Sequence, residues 1–296
     1  MAAPLRGTQS LVNFMGWVFD RPLLTALEVT WRWFFGIPLL LVCGYQARQM
    51  AVVYSFDASG LASIDPQNPW VAAVQLANAW TFYQPHVLAI LHWLFPTAAL
   101  AWVVISGIGR NLVLRRMDSR LRFRPIAMTA LQAVWLALLG VTCWGWFSSI
   151  QWVAATHILP NAEPDLIGYS MWSIFLTLGF FTAWALINWP LSIAPLVMLL
   201  ENCSAAQALK RSFRLGSPFT GKLIEINLVM GIVKLALMVV AMVLSAAPLP
   251  FSDELGSDAM HVVWAGATVF FLIASDYFQV VRLKSFVEFW RIFRGN

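Results

Sequence analysis

Residues 86–108 read HVLAILHWLFPTAALAWVVISGI, and residues 109–124 read GRNLVLRRMDSRLRFR. The first stretch carries no Asp, Glu, Lys or Arg and has the length, about 20 mainly apolar residues, that a helix needs to cross the hydrocarbon of a bilayer. The second sets six arginines directly behind it: Arg110, Arg115, Arg116, Arg120, Arg122 and Arg124. Another apolar run, 126–150, follows at once. Apolar run, arginine cluster, apolar run is the pattern of two membrane helices joined by a basic connection. The same test outward along the chain selects 33–53, 170–199, 222–246 and 261–281, six spans in all. The expected fold is therefore all-α: a polytopic integral membrane protein with six transmembrane helices, both termini inside and amphipathic surface helices. It reads as one membrane domain over residues 1–296. Pro190 and Pro195 in the fourth run predict a kink or an early break there.

Composition agrees. The chain is 60% hydrophobic and 11% charged, against about 25% charged for soluble domains, so a water-facing surface cannot be assembled from it. Sixteen Trp and 21 Phe suit a membrane interface, where aromatic rings collect. Cys43, Cys143 and Cys203 show no CxxC pairing, which argues against a disulfide framework or zinc knuckle. The first strongly apolar run, near Trp31, is long enough to span and lacks a small-residue cleavage site, so no cleavable signal peptide is expected.

Charge sets the orientation. The leading segment holds Arg6, Arg21 and Arg32. The connection after the second span holds the six arginines, and that after the fourth holds Lys210, Arg211, Arg214 and Lys222. Arg282, Lys284, Arg291 and Arg294 follow the sixth. These are 17 of the 19 basic residues, all on one side of a six-span arrangement. Connections 55–85, 151–169 and 247–260 hold no Lys or Arg, but Asp57, Asp65, Glu163, Asp165, Asp253, Glu254 and Asp258. Positively charged connections stay in the cytoplasm, so the basic side is expected to be the cytoplasmic one. The net charge of +5 then speaks for anionic lipid headgroups as partners on that face rather than nucleic acid. Segment 110–124 alternates its arginines with Leu112, Val113, Leu114, Met117, Leu121 and Phe123, as a basic amphipathic surface helix would. Residues 22–35, with Glu28 and Arg32 at i,i+4, predict a separate helix on the inner interface. Residues 70–83, with Trp70, Trp80, Phe82 and Tyr83, predict a segment on the outer one.

The most informative stretch is 195–215, PLVMLLENCSAAQALKRSFRL. Ser204 with Gln207 three residues on is a capping box, which starts a helix at Ala205. Gly216 and Pro218 are expected to stop it. At 100° per residue Lys210, Arg211 and Arg214 share one face, and Ala205, Ala208, Leu209, Ser212 and Phe213 the other. Pro195, Glu201, Ser204, Ala208, Leu209, Ser212, Phe213 and Leu215 resemble a motif of bacterial multi-helix membrane proteins. That group is related to the membrane domain attached to some glycerophosphodiester phosphodiesterases. The resemblance covers about residues 195–215; it implies a six-span bacterial membrane domain and brings no catalytic residue with it.

Other chemistry is thin. Gly216–Leu223 approaches a phosphate-binding GxxxxGK[ST] loop, but Leu223 stands where the magnesium-binding hydroxyl belongs, and no buried strand precedes it. His86, His92, His157 and His261 all fall in the outer half. They could bind haem, a pigment or a metal, or simply touch headgroups and water. No cofactor is implied. Charges inside spans cost roughly 2.5–3.5 kcal/mol each at mid-depth and so call for partners. Lys234 in span five and Asp276 in span six are expected to pair. Arg48 stands in the outer half with Asp57 as candidate partner, and Glu225 sits one turn from Lys222 at the interface. Ala130, Ala133, Ala137 and Gly140, spaced 3, 4 and 3, form a smooth small-residue face for helix packing.

The expected function is that of a non-catalytic protein of the bacterial cytoplasmic (inner) membrane: an accessory or scaffolding subunit with membrane-protein partners, or an envelope- and lipid-associated factor. The alternatives are a transporter using Lys234 and Asp276, and a haem- or pigment-binding subunit.

Overall fold

The computed structural model describes residues 7–53, 69–158, 165–214, 217–246 and 257–294. Among these residues there are eight helices and no strand: α1 (Gly7–Phe19), α2 (Pro22–Val53), α3 (Pro69–Met117), α4 (Pro125–His157), α5 (Leu166–Leu200), α6 (Ala205–Ser212), α7 (Ser217–Ala246) and α8 (Ser257–Arg294). Six of them, α2 to α5 with α7 and α8, are long and apolar enough to cross a membrane.

The spans are where the apolar runs put them, but the helices do not stop where the runs do. The interfacial helix expected at 22–35 is the first part of α2, without a break. The outer-interface segment at 70–83 is likewise the start of the 49-residue α3. A continuing helix satisfies each backbone group internally, so an uncovered end in apolar surroundings costs more than another turn. The surface helix expected at 110–124 exists only as far as Met117. There Asp118 ends it. Its side chain accepts from the Arg120 N–H (3.1 Å) and its carbonyl from the Leu121 N–H (3.1 Å), turning the chain by local bonds that compete with the helix. No early break occurs at Pro190 or Pro195; α5 runs through both. Residues 193–199 are buried without exception, and their packing offsets the backbone bonds that proline removes.

The chain divides into two compact units, 31–106 and 1–30 with 107–296. The first unit joins the later part of α2 to the earlier part of α3. Trp102 packs on Trp31 (5.8 Å between ring centres) and on Phe35 (5.1 Å). Further along, Met50, Leu76, Trp80 and Tyr83 line an apolar groove of about 380 Å³.

The second unit holds the main core, and all of it lies toward the arginine-rich ends of the spans. Leu24, Leu114, Met117, Met128, Leu131, Met198, Leu223, Ile226 and Met230 come from the basic ends of α2, α3, α4, α5 and α7. The largest share comes from α8, where Val280, Val281, Leu283, Phe286, Val287, Phe289 and Trp290 are buried. Against it lies α1, whose 13 residues are too few to cross a bilayer. Its signal is the spacing of Leu11, Phe14, Met15 and Val18, one stripe at i, i+3, i+4, i+7. The Tyr277 hydroxyl donates to the Met15 carbonyl (2.8 Å), and Phe14 meets Phe289 edge-on at 6.2 Å. Helices α4 and α5 form a hairpin stitched by indoles: Trp135 donates to Asn188 (2.7 Å) and Trp146 to Thr177 (3.0 Å). Gly107 lets α3 approach α4 closely, since a Cβ there would lie 2.8 Å from the Thr129 Cα.

Candidate functional site

The turn from α5 into α6 is built by local chemistry. Glu201 closes α5, its N–H donating to the Val197 carbonyl (2.9 Å). Asn202 then takes a positive φ of 54°, a conformation that asparagine tolerates better than most residues. Ser204 Oγ accepts from the Gln207 N–H (3.3 Å), and Gln207 Oε1 accepts from the Ser204 N–H (3.3 Å), so α6 starts at the predicted capping box. Arg211 reaches back to the Glu201 carboxylate. That hydrogen bond, and the charge behind it, hold the guanidinium above its ordinary pKa. Arg124 donates to the Cys203 carbonyl (3.0 Å), tying the start of α4 to the start of α6.

Ala208 and Ser212 face inward, and Lys210, Arg211 and Arg214 outward. Two details differ from expectation. The helix ends at Ser212, ahead of Gly216, and Pro218 sits in the first turn of α7, where its missing N–H costs nothing. Phe213, assigned by the helical wheel to the apolar side, is exposed, although its N–H still donates to the Leu209 carbonyl (3.4 Å).

On the other side of this end, charges are paired. Lys284 binds Glu288, and Arg291 binds Asp118 as well as Glu288 (3.5 Å). The Trp17 ring of α1 lies between two cations, with Arg21 at 4.0 Å and Lys284 at 4.2 Å. Sequence reading missed this arrangement, because Asp118 and Arg291 are 173 residues apart.

No protein-family model, curated protein or solved structure matches the chain.

Asp276 is buried in α8 and Lys234 half-buried in α7, on two helices that pack against each other. Glu225 is half-buried near the start of α7; the Lys222 side chain lies outside the described ones. Arg48 is exposed on α2, and Asp57 is outside the described residues. The stripe Ala130, Ala133, Ala137 and Gly140 is exposed along its length, so the packing of α4 against α5 uses other faces of the helix.

His86 and His92 belong to one unit, His157 and His261 to the other. His261 stacks edge-on with Trp264 at 5.5 Å. His157 Nδ1 lies 3.1 Å from Asp165 Oδ2, while Asp165 Oδ1 accepts from the Gly168 N–H (2.9 Å) and caps α5. The Gly168 bond first, and the His157 bond second, hold the Asp165 carboxyl below its ordinary pKa. A side chain at Gly168 would collide with that carboxylate. Among the described residues no group of three or more His, Cys, Asp or Glu is placed to hold a metal ion.

Proposed function

We propose that the chain is a non-catalytic subunit of the bacterial cytoplasmic membrane, its basic end toward the cytoplasm, that scaffolds or accompanies other membrane proteins. The observation that carries this reading is the exposed small-residue stripe Ala130, Ala133, Ala137 and Gly140 on α4. The same unit packs a dense core elsewhere, so its helices can pack; this face is left smooth and unused. Small residues let a second helix approach closely, where dispersion and backbone contacts act without help from the hydrophobic effect. The resemblance of residues 195–215 to bacterial multi-helix membrane proteins supports the same placement.

The test is a mild-detergent pull-down of the tagged chain, read by mass spectrometry together with an absorbance scan. Stoichiometric partner subunits are expected with the natural chain and absent with Ala137→Leu, whose melting temperature stays unchanged. A colourless single species from the natural chain overturns the reading, and visible absorbance replaces it with the haem- or pigment-binding one. The transporter reading is favoured by one observation, the burial of Asp276 in α8 against the helix that carries Lys234. In that reading the two side chains pair, and normal insertion and stability of both Lys234→Ala and Asp276→Ala would count against it.

A further inference from the structure

Two groups of basic side chains stand apart at the arginine-rich end. Lys284, Arg291 and Arg211 are held by carboxylates, and Arg124 by the Cys203 carbonyl. Arg116, Arg120, Arg122, Lys210 and Arg214 are exposed, and their side chains have no acidic or carbonyl partner among the described residues. The second group sits on the end of α3, on the link 118–124 and on α6. Link and helix are held together by the Arg124 bond, and α6 also packs on α4 and α5. Among these charges stand apolar side chains turned outward: Phe123 beside Arg115 at 5.7 Å, Ile126 with 86% of its surface exposed, and Phe213 with 58%.

We propose that this unpaired half of the basic end binds anionic phospholipid headgroups, rests its aromatic and aliphatic side chains on the acyl region beneath, and selects anionic over zwitterionic lipid. The inference rests on the membrane placement proposed above and adds its lipid partner. Two features of the surface choose the occupant. Uncompensated positive charge close to the ends of membrane spans attracts negative headgroups. Phe123, Ile126 and Phe213 need an apolar layer directly behind those charges, which a bilayer interface supplies. Lys284 and Arg291 of α8, whose charges Glu288 and Asp118 offset, take no part.

The test uses the full chain, delipidated in non-ionic detergent and offered equimolar phosphatidylglycerol and phosphatidylcholine with identical acyl chains. Bound lipid is counted by native mass spectrometry. Phosphatidylglycerol is expected to dominate, with the preference falling about five-fold per charge removed in Arg120→Gln/Arg122→Gln and in Lys210→Gln/Arg214→Gln. It persists in Arg291→Gln, whose charge Asp118 and Glu288 already neutralise. Excess glycerol 3-phosphate leaves the bound lipid in place, because a headgroup alone offers nothing to Phe123 and Ile126. If a double variant loses helicity, the exposed single variants Arg116→Gln and Lys210→Gln carry the same test. Equal retention of the two lipids, an unchanged preference in the charge variants, or displacement by glycerol 3-phosphate overturns the proposal while the membrane reading stands. Retention of neither lipid overturns both.

Discussion

The two ends of the helices in the larger unit are built differently. Toward the arginine-rich end, Met198, Val280, Phe286 and Val287 are wholly or almost wholly buried. Toward the other end, Trp144, Phe175 and Val262 stand exposed on α4, α5 and α8. Both regions are apolar, so composition is not the difference. The solvent is. Within lipid, apolar side chains gain little by leaving one apolar medium for another. Beyond the hydrocarbon they gain roughly 25 cal/mol per Å² of apolar surface removed from water. Helix α8 has 38 residues, about 57 Å at 1.5 Å per residue, against a hydrocarbon thickness of about 30 Å. The stretch of α8 past the sixth span, 282–294, adds Leu283, Phe286, Val287, Phe289 and Trp290 to the core. The bare flanks leave the spans unjoined along most of their length, and the core at the basic end decides how they are joined.

The largest test of this contrast is a pair of truncations. Phe286→Ala in the core is expected to cost about 3–5 kcal/mol of stability, and Phe175→Ala on the bare flank within about 0.5 kcal/mol, both read from unfolding in detergent. Equal losses would erase the distinction. A smaller effect is expected from Arg291→Gln, which leaves the Asp118 carboxylate, 11% exposed, without its guanidinium. About 1–2 kcal/mol should be lost, after allowing for the exposure of Arg291. A double-mutant cycle with Asp118→Asn should return most of that as coupling; independent effects would mean that core packing alone joins the link after α3 to α8.

The smallest effect belongs to the end away from the arginines. Asp165 titrates below its ordinary value when folded, so its cap stabilises the α4–α5 hairpin above the unfolded carboxyl range, near about 4, and that contribution fades as pH falls through the folded value. Pepsin cleavage near Gly168 should therefore rise more steeply on acidification in the natural chain than in Asp165→Asn, which is already loosened at both pH values. Parallel curves would show that the His157–Asp165 clasp does not hold that end closed.

What could be read from sequence followed the range of the interactions. Six spans were legible because each is a local run of apolar residues longer than a soluble helix tolerates. The capping box of Ser204 and Gln207 was legible for the same reason, its partners being three residues apart. The ends of α3 and α8 were not, because a hydropathy run stops where charges begin while the helix continues through Arg110 to Met117 and through Arg282 to Arg294. Helix α1 left a four-residue stripe that a search for spans passes over. The pairing of Asp118 with Arg291 left no local trace at all, so the division of the basic residues into paired and unpaired groups emerged only from the packed chain.

The bond from Tyr277 to Met15 spans 262 residues, and this has a consequence for biosynthesis. Helix α1 is made well before its seat on α8. At about 5–20 residues per second, α1 waits tens of seconds with its apolar stripe unmatched. In that interval its stripe can rest on the membrane surface, or on a chaperone, but not on its native partner. The part of the core that α1 shares with α8 closes only after α8 has been made, so this contact is a late event in the assembly of the chain.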